Sequence, residues 1–429
     1  MNPSNTQPHD SYWNAQLLTI VYMLLTSCMR RYTILYTDDD APHAQVKSGV
    51  MRMRIVLFLL CSAADLLFYS NVRSTADASP VVIGAAVMLR HGLLDPNFLS
   101  TMYCPTLSHD RNTSGMGIDR AAVPPLSRLG EVLRAKYGQL VNMDRSDWGI
   151  TVTSSSLIPA VQSAFHVVSG GWPDHQANIT LDDNMLAVRN REEQCPAFKN
   201  LTHRMYHSDR VMGMESDNES LFEFLFEKCG HRIADIQSIR MIFHLFETRH
   251  ELGLEPPVWM QDRVSKAIRT MGTIGYCLRG VSQQLSRLLT DPFFVRLEKS
   301  FQDMGRNKST SRILIFASCE YHVSAVLRNM QAFDPTHHVP EAASVTFELS
   351  EDDVTSEKFV SAYYSPDPDD QSQQVAIAPS ACTIGVPCHM SAFFSNLIDR
   401  ECACTQLDYT SSIQQLDADI SLCFDSHYS

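Results

Sequence analysis

VVIGAAVMLRHG, Val81 to Gly92, is the stretch on which the fold turns. Val81 to Leu89 is apolar or small throughout, with no polar alternation. A strand with one wet face alternates, so an unbroken run of this kind is buried on both faces, as in a parallel sheet. The run ends on Arg90 and His91, and Gly92 follows. Polar, chemically capable groups therefore stand at the carboxyl end of a buried strand.

Two further strand–loop–helix units repeat this grammar. Gly149 to Thr153 leads into Ser154-Ser155-Ser156 and a helical pattern that stops at Gly170-Gly171. Ile313 to Ala317 leads into Ser318-Cys319-Glu320 and a helix through Val323, Val326 and Leu327. Ligands of open α/β sheets bind beyond the carboxyl ends of the strands. The three loops can thus converge on one site although they are far apart in sequence.

Between the second and third units the chain reads as helices: SLFEFLFEKC, IADIQSIRMIFHLFETRHELG, and the stretch around Val264 to Arg269. Beyond residue 340, SVTFEL and KFVSAYYS return to strand alternation around the acidic turn Ser350 to Asp353. The expected fold class is α/β, a mainly parallel central sheet flanked by helices with an inserted helical cap. The expected boundaries are an N-terminal extension with a signal-like segment over 1–78, core over 79–170, cap over 171–305, and core with a C-terminal tail over 306–429. The tail beyond Cys404 is polar and is expected to be peripheral.

Of the 429 residues, 44% are hydrophobic and 19% charged, enough apolar matter for a large core. The formal charge of -13 argues against nucleic acid as a partner and gives no global pull on anions, so any anion affinity has to be local. Twelve cysteines are present. Cys382, Cys388, Cys402 and Cys404 cluster, which suits disulfides in an oxidising compartment without fixing their pairing. Zinc is the competing reading, but the chain has no C-x-x-C pair and only His389 lies in the cluster.

Five N-x-S/T sequons occur, at Asn112, Asn178, Asn200, Asn218 and Asn307. The stretch from Met51 has Arg52 and Arg54 before an apolar centre, Ile55 to Leu60, then small residues. It reads as a signal peptide with Met51 as a start, or as a signal anchor. The expected location is secreted, or the lumen of lysosome or endomembrane.

Further segments fall in the order of a known family. LGEVLRAKYG (129–138) and TSSSLIPAVQSA (153–164) are followed by DDNMLAVRNREEQCPAF (182–198) and ELGLEPPVWMQDRV (251–264). Then come FASCEYHVSAVL (316–327), VPEAASVTFEL (339–349) and CTIGVPCHMSAFFSNL (382–397). With Arg90-His91-Gly92, they resemble the histidine acid phosphatases over about residues 80 to 400. The resemblance implies hydrolysis of phosphomonoesters through a phosphohistidine, with no metal and no cofactor. A neutral imidazole attacks phosphorus. Arginines and a second histidine hold the phosphoryl oxygens, and a carboxylic acid protonates the leaving alcohol.

Carried over position by position, the resemblance gives a mixed result. The first loop, R-H-G-x-R-x-P in the family, matches at Arg90, His91, Gly92 and Pro96, but its second arginine is Leu94, with Asp95 beside it. The arginine of the second unit falls on Pro159, and Thr153 stands where an arginine often precedes the serine. The His-Asp pair falls on Cys319-Glu320. His91 is then the nucleophile, Arg90 a substrate-binding group and Glu320 the proton donor, while Leu94, Pro159 and Cys319 are losses. A charged hydrogen bond is worth about 1.5–3 kcal/mol, so three losses imply phosphoryl transfer slower by roughly 10³-fold or more.

Three readings stay open: a working acid phosphatase, a silent or weak relative, and a non-catalytic binder of an anionic or lipid ligand or a protein. His91 can alternatively be a structural residue bonded to the loop backbone. Cys319 can be a buried free thiol, a reactive one or a bridge partner. His337-His338 reads as a polar loop rather than a metal site, and Trp259 as cap packing. The expected partner is a phosphomonoester or other small anionic ligand, with a homodimer allowed and no stable membrane span.

Overall fold

The computed structural model describes residues 80–425 apart from 109–116, 143, 145–148, 177, 335, 396 and 399–408. The signal-like segment, the sequon at Asn112, and Cys28, Cys61, Cys402 and Cys404 lie outside the described residues.

Strand β1 is Val81–Arg90, followed by α1 (Pro96–Tyr103) and α2 (Val123–Tyr137). β2 (Ile150–Ser154), α3 (Ile158–Gly171) and the short β3 (Ile179–Leu181) complete the first part. Eight helices follow: α4 (Asp183–Leu186), α5 (Val188–Gln194), α6 (Pro196–Tyr206), α7 (Asp209–Asp217), α8 (Glu219–Cys229), α9 (Ile236–Glu251), α10 (Asp262–Val281) and α11 (Gln283–Gly305). The chain returns to the sheet with β4 (Ile313–Ser318), α12 (Glu320–Asn329), β5 (Ser344–Glu351), β6 (Lys358–Ser365), β7 (Val375–Ile377) and β8 (Cys388–His389). It ends in α13 (Met390–Ser395) and α14 (Tyr409–Asp425).

The sheet order is β3-β2-β4-β1-β5-β6-β7, with β8 on β6. The half from β3 to β1 is parallel, and β5 to β8 are antiparallel. β1 lies between β4 and β5, and Ala85 to Leu89 are all 0% exposed. Its side chains divide with a period of two. Ala85, Val87 and Leu89 pack with Leu126, Leu129 and Leu133 of α2 and Ala164 and Val167 of α3. Ala86 and Met88 pack with Phe293, Phe294 and Leu297 of α11 and Val323 and Val326 of α12. Helices on both faces are the reason the run has no polar alternation. α11, the last helix of the long helical stretch, therefore packs on the sheet itself.

Helices α6, α8, α9 and α10 enclose a second core that includes Phe198, Leu225, Ile239, Ile274 and Leu278, whereas α4 and α13 pack on the sheet side. Trp259 packs edge-on between Phe224 and Phe246, as expected of a packing residue. Disulfides Cys104–Cys229 and Cys277–Cys423 close loops of 125 and 146 residues, Cys382–Cys388 a loop of 6, and Cys195 is also disulfide-bonded. The expectation of a peripheral tail is corrected. α14 buries Leu416, Ile420 and Cys423 in the helical core, because these residues recur on one helical face within an otherwise polar sequence. No described helix is long and apolar enough to cross a membrane.

Candidate functional site

The carboxyl ends of β2, β4 and β1 are neighbours. Ser154 pairs with Ala317, and Arg90 with Ser318. Just past them the His91 N–H donates to the Ser318 carbonyl at 3.0 Å and the Ser155 N–H to the Ala317 carbonyl at 3.1 Å. The three loops expected to converge do lie side by side.

His91 is buried, and its Nδ1 lies 2.9 Å from the Gly92 carbonyl. A carbonyl only accepts, so Nδ1 carries the hydrogen and Nε2 keeps its lone pair. Burial, then the Arg90 charge, pushes His91 down to about 4, so the imidazole is neutral at any mildly acidic or neutral pH. The structural and the nucleophilic readings of His91 are compatible: one nitrogen is bound to the loop, and the other has no partner among the described residues.

The loop is pinned to α3. The Gly92 N–H donates to Ser163 Oγ at 3.0 Å, and the Ser163 hydroxyl donates to the Pro159 carbonyl at 2.6 Å. A β-carbon at Gly92 would stand 2.7 Å from that of Ala122, so this approach requires glycine.

Arg90 is 1% exposed, and its guanidinium turns toward the segment before β5. Nη2 donates to Glu341 Oε1 at 2.8 Å, and Nη1 donates to the Val339 carbonyl and lies 3.1 Å from His338 Nε2. Burial works against this charge, but Glu341 and Glu320 outweigh it and hold the guanidinium above its ordinary value. The Arg90 N–H donates to the Ala343 carbonyl at 2.9 Å, which brings the two segments together.

Leu94 is packed in the helical core, and its backbone bridges to Ile118. Asp95 caps α1, accepting from the Asn97 N–H at 2.7 Å. Pro159 is buried in the first turn of α3, where its missing N–H costs nothing. Thr153 is buried within β2. Cys319 caps α12 and is a free, half-buried thiol, which excludes the bridge reading. His322 is fully buried, and burial pushes it down to about 4. Glu320 opens α12, with Oε1 3.7 Å from His338 Nε2. The structure thus brings together Arg90, His91 and Glu320, with Cys319 beside Glu320 and Leu94 packed into the helical core.

Several groups around them were not anticipated. His337-His338 lie in a loop, as expected, and His338 in addition lies against Arg90 and edge-on to Tyr276, ring centroids 4.8 Å apart. Burial, then Arg90, pushes His338 down to about 3. His244 of α9 lies 6.4 Å from the His338 ring and is held well below its ordinary value by burial and Arg90. Glu251 is pushed up to about 7 by burial and by Glu341. A cleft of about 500 Å³ opens beside Gly92 and Glu341, with Glu251, Asp367 and Asp369 on its walls. A cleft of about 690 Å³ lined by His203, Arg204, His207 and Arg210 belongs to the α6–α7 and α14 region and contains none of these residues.

His244, His338 and Glu341 offer ligand atoms within 4.8 Å of one another, a spacing that a metal ion could bridge. Arg90 already engages Glu341 and lies beside His338, so a cation there would share its ligands with a guanidinium. One signal for Glu341 was present in the sequence. In VPEAAS it falls where the family pattern PPYAS has its second proline.

No family model matches the chain, and no curated protein sequence matches it. Solved structures do match. The apo phytase of Hafnia alvei is 12% identical with a TM-score of 0.53, covering 77% of this chain and 100% of that one. The phytase of Citrobacter braakii is 11% identical with a TM-score of 0.54, covering 74% and 97%. The phytase of Klebsiella sp. ASR1 is 13% identical with a TM-score of 0.53, covering 77% and 100%. Identities this low speak for architecture alone, and the chain has the fold of these phytases.

Proposed function

We propose that this chain is a histidine acid phosphatase-like protein that binds a phosphomonoester or a related small anion, with phosphoryl transfer through His91 weak or lost. One observation carries the reading. The guanidinium of Arg90, which would hold the transferring phosphoryl group, is engaged by Glu341 at 2.8 Å and by the Val339 carbonyl. A carboxylate stands where a substrate oxyanion would have to compete for the same fork. Leu94, Pro159 and Cys319 add no positive charge. The Hafnia alvei fold neighbour is also known in complex with myo-inositol hexakis sulphate, and this supports an anionic ligand class here.

Residual phosphatase activity is the second reading. The neutral His91 with its bare Nε2 favours it, as does Glu320 nearby as a proton donor. Phosphate release from an aryl phosphate, measured from acidic to neutral pH, separates the two. Wild type and His91→Ala are expected to release phosphate at rates within a few-fold of each other. A wild-type rate a thousandfold above His91→Ala would overturn the proposal. We place the protein in the secretory route, on the disulfides and the sequons; a glycosidase-sensitive shift in gel mobility of the protein from secreting cells is the expected result.

A further inference from the structure

On the cap side of the site two arginines form no ion pair with a carboxylate among the described residues, and Glu320 reaches Arg240 only from beyond ion-pair distance. Arg240 of α9 is 7% exposed, and among the described residues it makes no hydrogen bond and no ion pair. Its guanidinium lies 5.3 Å over the ring of Tyr276. Arg279, one turn beyond Tyr276 on α10, lies 4.9 Å over the ring of Tyr321, has Tyr206 close by, and leaves its Nε without a partner. The two cations repel each other. Leaving a buried charge unpaired is among the costliest arrangements in a protein interior.

The unsatisfied atoms share one character. Arg240 Nε, Arg279 Nε, Tyr276 Oη and Tyr321 Oη are all buried, lack a partner, and can all donate. Such a cluster calls for an acceptor that carries negative charge. Its place in the fold is defined. Tyr276 packs on His338, which contacts Arg90, and Tyr321 follows Glu320 at the start of α12. His244 stands one turn after Arg240 on α9 and faces His338. Gly275 of α10 admits the Arg240 side chain, since a β-carbon there would stand 3.0 Å from Arg240 Cβ.

We propose that Arg240 and Arg279, with the hydroxyls of Tyr276 and Tyr321, form an oxyanion site on the cap side that takes a phosphate group. The site deepens the anion-binding reading above, on which it rests, and does not depend on turnover at His91. It moves the anchor of the anion from Arg90, which is engaged, to the cap. The phosphate can be free or carried on an organic ester.

Calorimetric titration of the full chain with inorganic phosphate and with phenyl phosphate tests it. Arg240→Gln and Arg279→Gln are each expected to weaken both ligands by roughly tenfold or more, the worth of a charged hydrogen bond. Arg240→Lys is expected to lose less. A loss confined to phenyl phosphate identifies an ester as the ligand, and an equal loss for both identifies the phosphate group itself. Wild-type affinity in both glutamine variants, or no binding of either ligand by wild type, overturns the site. Selenate soaked into wild-type crystals gives a check that no variant's folding can compromise. An anomalous peak between the two guanidinium groups is expected, and a peak only at His91, or none, overturns the proposal. Rapid hydrolysis at His91 together with these binding losses would remove the silent-relative reading and leave the cap site standing.

Discussion

Arg90 and Arg240 are both buried arginines near the same histidines, and their surroundings are opposite. Arg90 is held by Glu341 and a backbone carbonyl, with His338 alongside. Arg240 has an aromatic face, a repelling neighbour and no hydrogen-bond acceptor among the described residues. In the first arrangement both Nη groups are engaged in the free protein and only Nε lacks a partner among the described residues. The second is complete only with something added. A guanidinium is therefore informative through its acceptors, and residue type at a family position does not reveal them.

The largest test of this contrast is Glu341→Ala. Removing one member of a buried ion pair strands the other, and the expected loss of stability is about 3 kcal/mol, read by urea unfolding. A joint Arg90→Met and Glu341→Leu change is expected to recover most of it. If Glu341→Ala unfolds like wild type, Arg90 is not held as described. Next comes Cys423→Ser, which frees α14 from α10 beside Arg279. The bond closes a 146-residue loop, and its loss is expected to cost about 2–4 kcal/mol. Unchanged thermal unfolding would show that packing of α14 alone fixes the cap.

The pH dependence is a smaller effect with a definite sign. His91 and His338 have folded values near 4 and 3, below the ordinary 6.5. The unfolded chain then binds more protons, so these groups stabilise the fold above pH 6.5 and lose that contribution as pH falls through 4. Glu251, raised to about 7 from 4.5, acts oppositely, and its contribution is lost as pH rises through 7. The melting temperature is expected to rise from pH 4 to about 6.5, and His338→Gln to flatten that rise. A profile unaffected by His338→Gln would place that imidazole in water instead of beside Arg90. The smallest effect is that of Cys319→Ser, expected to change stability by about 0.5 kcal/mol or less and to remove the peptide carrying residue 319 from those labelled by a thiol reagent in the folded protein. A large loss would mean the thiol carries packing that its half-buried position does not suggest.

The core of the fold was legible in the sequence for a physical reason. A strand buried on both faces has to be apolar at every position, so β1 announced itself, and with it the loops at the strand ends. Arg90, His91 and Glu320 were found together because each stands at, or within two residues of, the carboxyl end of such a strand. Glu341 was not, since it lies 251 residues from Arg90 in a loop, where a single carboxylate carries no periodic signal. His338 was set aside as loop polarity, because a short run of polar residues looks the same whether it faces water or a guanidinium. Arg240 and Arg279 sat inside amphipathic helical patterns, where a charge is ordinarily assigned to the wet face. α14 was misjudged by composition, although Leu416, Ile420 and Cys423 share one face.

The hydrogen bonds from Gly92 through Ser163 to Pro159 have a consequence for change at this site. What residue 159 contributes is a carbonyl, which every amino acid possesses. Its side chain can be replaced without releasing the loop that carries His91. The shape around His91 is thus insured separately from the charges that would use it, so this chain can discard the reagents of a reaction and keep the vessel.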